Sequence, residues 1–323
     1  MSNTTKSSKE TPELYIFLSV DIIDSTKIKY NTENPINWYN SFREFYISFP
    51  EFFENHLKIE YEYNGLKYEP DNYKIWKHAG DEILSYLNIT MKDEVPCVVH
   101  AFKRTLEEWL TPEKKKLKIK GNIWIGQIPF IDRKLLPEEN SKHQKTINIP
   151  EDFIGPSIDC GFRIGKYSSQ NNITISVEVA DLCKDAPSLQ SSLYYLKSEN
   201  LKGVFGTDNK YPIFVIHLNS ENDTNEYKFL LNSCDTTKLN DYIASHYSSL
   251  GEQYKSKISR IDKNIPKYLN DKKDDSKEAV AQDTEIKPIT EAPVLPENGK
   301  GNEKQFKDLS SQISSIKTTS NTI

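Results

Sequence analysis

Only four cysteines occur in 323 residues, and Cys97, Cys160, Cys183 and Cys234 are too widely spaced for the CxxC pairs of zinc or redox sites. A disulfide scaffold would be denser, so the four are expected as buried free thiols. No apolar run reaches the roughly 18 residues that a membrane-spanning helix needs. The opening MSNTTKSSKETPELY also lacks an apolar signal core. A cytoplasmic location without membrane attachment is therefore expected. Positive charge is not in surplus either: 42 Lys and Arg stand against 47 Asp and Glu, a net charge of −5. That balance gives no general footprint for nucleic acid, while leaving room for local basic sites that meet phosphates. Internal repeats are absent.

What is present is a chain with 36% apolar residues, 18 Tyr and 14 Phe, enough for a partly aromatic core. Leu14 to Val20 reads as a short buried strand that runs into Asp21-Ile-Ile-Asp-Ser-Thr, a polar turn at a strand end. Phe42, Phe45, Phe49, Phe52 and Phe53 recur near helical spacing, with Pro50 expected to kink the helix or begin a new one. Asn72 to Trp76 and Glu82 to Ile89 read as strands meeting at His78-Ala-Gly-Asp81, where Gly80 permits a tight reversal. Val95, Val98, Phe102, Leu106 and Leu110 make a second helical stripe, and Gly121 to Ile131 returns as a strand.

The pattern is βαββαβ, a mixed α/β chain of the α+β, ferredoxin-like kind with a mostly antiparallel sheet and covering helices. Asp132 to Pro150 is polar and reads as a surface excursion. Strands are expected at Ile173 to Val177, Leu193 to Lys197 and Tyr211 to Leu218, with a short helix around Val179 to Cys183. Composition then shifts. Residues 12–222 are assigned to one catalytic domain, 223–261 to a helical extension, and 262–323 to a low-complexity tail too poor in apolar residues to fold alone. In that tail Phe306, Leu309, Ile313 and Ile316 have the spacing of a weak amphipathic helix.

Asp21 and Asp24 at a strand end, followed by Ser25-Thr26, can present carboxylates beside backbone N–H groups where metal and phosphate meet. For the isolated motif a helix cap is the better explanation. Asp81 alone would be an ordinary turn aspartate. Together they take on more meaning, since two acidic turns occur in one chain.

Phe17-Leu-Ser-Val-Asp21-Ile-Ile-Asp-Ser-Thr26 followed by Lys77-His-Ala-Gly-Asp81-Glu resembles the two metal-binding elements of class III nucleotidyl cyclases, in order and in separation by one helix. The resemblance implies two Mg²⁺ or Mn²⁺ ions per site, held by Asp21, Asp81 and the backbone carbonyl of Ile22. Asp152-Phe-Ile-Gly-Pro-Ser-Ile-Asp159-Cys-Gly-Phe-Arg163 is similar to the family's helix-borne Asn and Arg pair, with Asp159 standing where Asn is usual. It implies that Arg163 stabilises the pentavalent phosphorus, with Asp159 near the ribose. Lys202 resembles a lysine that contacts the terminal phosphates, and Ser25 and Thr26 lie where substrate would approach.

Lys77 and Asp152 occupy the family's base-selecting positions, in a combination found in many adenylate cyclases. The long segment from Asn31 to Pro70, the WKHAGDEI hairpin and the altered Asp159 to Arg163 motif look instead like the bacterial pyrimidine cyclases of Pycsar antiphage defence. That likeness implies UTP as substrate, cyclic UMP as product and a separate effector that the product activates. Phe17, Phe45 and Tyr46 are candidates to narrow the pocket to a one-ring base, a core role being the simpler reading of each. Since the chain has one copy of each half-site, the resemblance implies a head-to-tail homodimer with two shared sites. Cytidylate or purine cyclisation, and a binding-only module, remain alternatives. A diguanylate cyclase would carry GGDEF, of which only Ala79-Gly-Asp-Glu82 is present.

Overall fold

The computed structural model describes residues 13–32, 34–111, 117–135, 151–204, 210–218, 232–233 and 236–249. The tail expected from residue 262 onward and Cys234 lie outside these residues. Cys97, Cys160 and Cys183 are buried free thiols, as expected.

The first half follows the expected order. β1 (Glu13–Ile22) leads through α1 (Ser25–Asn31) and α2 (Pro35–Tyr63) to the hairpin β2 (Tyr73–Ala79) and β3 (Glu82–Ile89), then α3 (Glu94–Trp109) and β4 (Ile119–Ile128). Next come β5 (Arg133–Leu135), β6 (Asp152–Ile154), α4 (Pro156–Ile164), β7 (Asn172–Ile175), α5 (Val177–Cys183), α6 (Pro187–Gln190), β8 (Leu193–Glu199), β9 (Tyr211–His217), β10 (Asn232–Ser233) and α7 (Thr236–Ser249). Eight strands form one sheet in the order β10-β8-β9-β7-β4-β1-β3-β2, while β5 and β6 pair separately. The β4-β1-β3-β2 half is antiparallel throughout, and only β4 and β7 run parallel. The fold is therefore mixed α+β with a mostly antiparallel sheet, as the sequence pattern implies.

Strand alternation sorts the sheet into two faces. Tyr15, Phe17, Ser19 and Asp21 of β1 lie opposite Gly126, Trp124, Asn122 and Lys120 of β4, and this is the face on which α4 rests. The other face meets α3: a Cβ on Gly121, opposite Val20, would come within 2.6 Å of the Phe102 ring. Phe42, Phe45, Phe49, Phe53 and Leu57 of α2 are buried with α3 in the same core.

Two expectations are corrected. Pro50 does not begin a new helix, one of the two outcomes expected of it, because the 29-residue helix runs through it. Burial of aromatic residues on both sides outweighs the one backbone hydrogen bond that proline cannot make. The excursion read as polar from Asp132 opens with a carboxylate of 0% exposure and continues into β5. Residues 136–150 lie outside the described set. Among the described residues no helix is long and apolar enough to cross a membrane.

Candidate active site

The β2–β3 hairpin closes through a two-residue turn, with Gly80 at φ 72°, a conformation that side-chain-bearing residues rarely adopt. Asp81 follows it directly. β1 pairs with β3 so that Asp21 lies opposite Glu82, and the Ile22 N–H reaches the Asp81 carbonyl at 3.4 Å. Pairing thus sets two carboxylates, far apart in sequence, side by side at the same end of the sheet. On α2, Tyr46 donates its hydroxyl hydrogen bond to the Gly80 carbonyl and packs its ring against His78 at 4.9 Å, tying the hairpin tip to the helix.

A cleft of about 320 Å³ opens over this end. Asp21, Asp81, Glu82 and Lys120 line one side; Phe162, Gly165, Lys166 and Ser168, from α4 and the segment after it, line the other. Lys120 sits opposite Asp21 in the β1–β4 register and forms an ion pair with it at 3.2 Å. Burial pushes the Asp21 carboxyl above its usual range; Lys120 opposes that shift and Asp81 adds to it. Glu82 is raised by burial too, against a hydrogen bond donated by Ser19.

These are hard oxygen donors. Among the described residues no cluster of three or more His, Cys, Asp or Glu is arranged to hold a metal ion. Two adjacent carboxylates, Asp21 and Asp81, nonetheless fit Mg²⁺ or Mn²⁺ of the kind that takes its remaining ligands from water and substrate phosphates, while Ile22 does not line the cleft.

Further along the same face, Lys77 forms an ion pair with Asp152 at 2.8 Å. The same Oδ1 accepts the Trp76 indole N–H at 3.0 Å and the Phe153 N–H at 3.0 Å. Burial alone would raise the Asp152 pKa, but these donors and the Lys77 charge together pull it below its ordinary value. Neighbouring strand residues normally point to opposite faces. Here pairing shifts by one residue between Ile75 and Lys77, so Trp76 is the extra residue of a β-bulge. That shift lets Trp76 and Lys77 reach one oxygen together, with the Lys77 ammonium 4.2 Å from the Trp76 ring centroid.

The other anticipated residues lie elsewhere. Phe17 has no exposure and stacks on Trp124 at 5.5 Å, edge-on to Trp76, so it supports the site from beneath. Ser25 is buried in the first turn of α1 and Thr26 is exposed, neither lining the cleft. Asp24 adopts φ 58°, and its carbonyl accepts the Ile28 N–H at 3.0 Å. Asp159 and Arg163 are exposed on α4 without an ion pair between them, and neither lines the cleft. Lys202 is exposed in the turn after β8 and does not reach the cleft.

Lys120, Lys166 and Trp76 were not singled out by sequence. The alternation Leu117-Lys-Ile-Lys-Gly-Asn-Ile, which puts Lys118, Lys120 and Asn122 on one face of the strand, was the available signal for Lys120.

No protein-family model matches the chain, and no curated protein matches it in sequence. Among solved structures it is similar to the adenylyl cyclase CyaB from P. aeruginosa, at 16% identity over 66% of this chain and 98% of that one, with a TM-score of 0.40. It is similar also to the catalytic core of a rhodopsin-guanylyl cyclase with converted specificity in complex with ATPαS, at 13% identity over 64% and 97%, with a TM-score of 0.42. The guanylyl cyclase Cya2 matches at 15% identity over 66% and 96%, with a TM-score of 0.39.

Proposed function

We propose that this chain is a nucleotidyl cyclase that converts UTP to 3′,5′-cyclic UMP and pyrophosphate, a second messenger for a separate effector in Pycsar antiphage defence. The observation that carries the cyclase reading is the pairing of Asp21 with the Asp81 hairpin at one sheet end, in a cleft shared with Lys120 and Lys166. Asp21, Asp81 and the Ile22 carbonyl are the groups that would hold two Mg²⁺ or Mn²⁺ ions. When bound, the ions would supply activation of the ribose 3′-hydroxyl and neutralisation of the leaving pyrophosphate.

The reaction joins the 3′-oxygen to the α-phosphorus, breaks the bond from that phosphorus to the pyrophosphate oxygen, and releases the hydroxyl proton. It needs no covalent enzyme intermediate, so positioning and charge suffice. Lys120 and Lys166 offer cations to phosphate oxygens, and Arg163 is assigned to the pentavalent phosphorus. Its place outside its own protomer's cleft supports a homodimer in which each site takes Asp21 and Asp81 from one chain and Arg163 and the Lys77–Asp152 pair from the other.

The base is assigned to Lys77 and Asp152, a donor and an acceptor held together by Trp76. A pyrimidine presents a complementary carbonyl and N–H or amine. The same pair also supports a second reading, adenylate cyclisation, and cyclic CMP differs from the favoured product by one exocyclic group. Incubating the purified chain with each of the four ribonucleoside triphosphates and Mn²⁺, then identifying products, tests all three. Cyclic UMP as the main product is expected. Cyclic AMP alone would overturn the pyrimidine assignment, and no cyclic product from any of the four would overturn the cyclase.

A further inference from the structure

Helix α4 has an unusual beginning. Its N-cap is Gly155, at φ 145°, which brings no side chain to the unpaired N–H groups of the first turn. Those groups are met from another part of the chain. Asp132, in the turn after β4, is wholly buried, and its Oδ1 accepts the Ser157 N–H at 3.0 Å while its Oδ2 accepts the Gln127 N–H at 2.9 Å. The Ile158 N–H and the Ser157 side chain add to the same carboxylate. A Cβ at residue 155 would come within 2.3 Å of Asp132 Oδ1, so the glycine is what admits the foreign cap.

The far end of the helix is fastened as closely. Asn122 donates to the Gly161 carbonyl at 2.9 Å, and a Cβ on Gly161 would fall 2.2 Å from the Trp124 ring. Just beyond the second attachment α4 carries Arg163, whose side chain is exposed and makes no ion pair among the described residues.

We propose that Asp132 is a positioning residue for Arg163: its buried carboxylate, bridging the β4 turn and the first turn of α4, sets the helix so that Arg163 reaches the triphosphate. This rests on the cyclase reading above. A buried carboxylate that bonds two separate backbone elements is costly unless its donors are fixed, so it holds both elements to one geometry. A shift of about 1 Å at the helix would cost on the order of 10²-fold in rate.

The test uses the full chain. Both oxygens of Asp132 face N–H donors, so Asp132→Asn must turn its amide NH₂ against one of them. Turnover of the preferred triphosphate should fall on the order of 10²-fold in this variant. Added to Arg163→Ala, the same change should cost no more than about twofold, because losses at residues acting through one another do not multiply. Multiplied losses would overturn the proposal, as would full activity in Asp132→Asn. Hydrogen exchange supplies a readout without substrate. The amides of residues 157–164 should exchange several-fold faster in the variant, the size expected for a lost helix cap, with the β2–β3 hairpin unchanged. Unchanged exchange in α4, or acceleration throughout the domain, would also overturn it. A wild-type chain that makes no cyclic nucleotide would instead defeat the cyclase reading, and the exchange pattern would still report whether Asp132 holds the helix.

Discussion

Asp21 is held where its charged form is disfavoured. Burial raises its pKa, Lys120 partly offsets this and Asp81 reinforces it. A carboxyl whose pKa is higher folded than unfolded binds more protons in the folded state, so its contribution to stability is lost as pH rises from the ordinary carboxylate range through the raised value. Asp21→Asn should therefore melt above wild type at pH 7 without metal, and the gap should close as pH falls toward 4. Thermal melts across that range check it, and a gap that widens on acidification would contradict it. Mn²⁺ should raise the wild-type midpoint and leave that of Asp21→Asn unmoved. Asp81→Ala should abolish cyclisation while changing stability by less than about 0.5 kcal/mol, as a turn residue outside the core. Normal turnover in that variant would remove Asp81 from the mechanism. These two aspartates were legible because strand-end motifs are local. Lys120 and Asp132 were not, since one acquires meaning only from the β1–β4 register and the other only from the approach of α4.

At the scale of elements, apolar periodicity placed β1, β3, α3 and β9 within a few residues, because burial on one face leaves a period that a sequence displays. The continuity of α2 through Pro50 was hidden, since it depends on the aromatic packing of both halves rather than on local propensity. The close approach of α4 to β4 was hidden as well. Gly161→Ala should destabilise by about 1–3 kcal/mol, as its methyl would overlap the Trp124 ring. Chemical denaturation measures this, and an unchanged midpoint would contradict the tight packing. Trp76→Phe keeps a ring in the cluster and deletes one hydrogen bond to Asp152. It should shrink discrimination among UTP, CTP and ATP by about tenfold, the worth of a hydrogen bond to a charged group. Unchanged product ratios would take Trp76 out of base selection.

At the scale of the molecule, the proposed division of each site between two chains makes activity a property of the assembly. Mixing Asp81→Ala protein, inactive alone, with Arg163→Ala protein, strongly impaired alone, should restore about a quarter of wild-type activity, since random pairing gives one intact site in half of the dimers. No recovery despite confirmed heterodimers would exclude shared sites. The mixed α+β topology was readable from element order, whereas the extension of the sheet through β7, β9, β8 and β10 was not, because it rests on long-range pairing that leaves little local trace.

The bulge at Trp76 has a consequence for how such a chain diversifies. Three residues separate it from the turn that bears Asp81, on the same hairpin, and it turns Trp76 and Lys77 together toward Asp152. Under the proposed roles, a lineage can exchange the residues at 76 and 77, and so trade one nucleobase for another, without disturbing the carboxylates at the tip. Choice of messenger and ability to make one are then inherited as separate traits on a single ribbon, the strands Tyr73–Ala79 and Glu82–Ile89 with the turn Gly80-Asp81 between them.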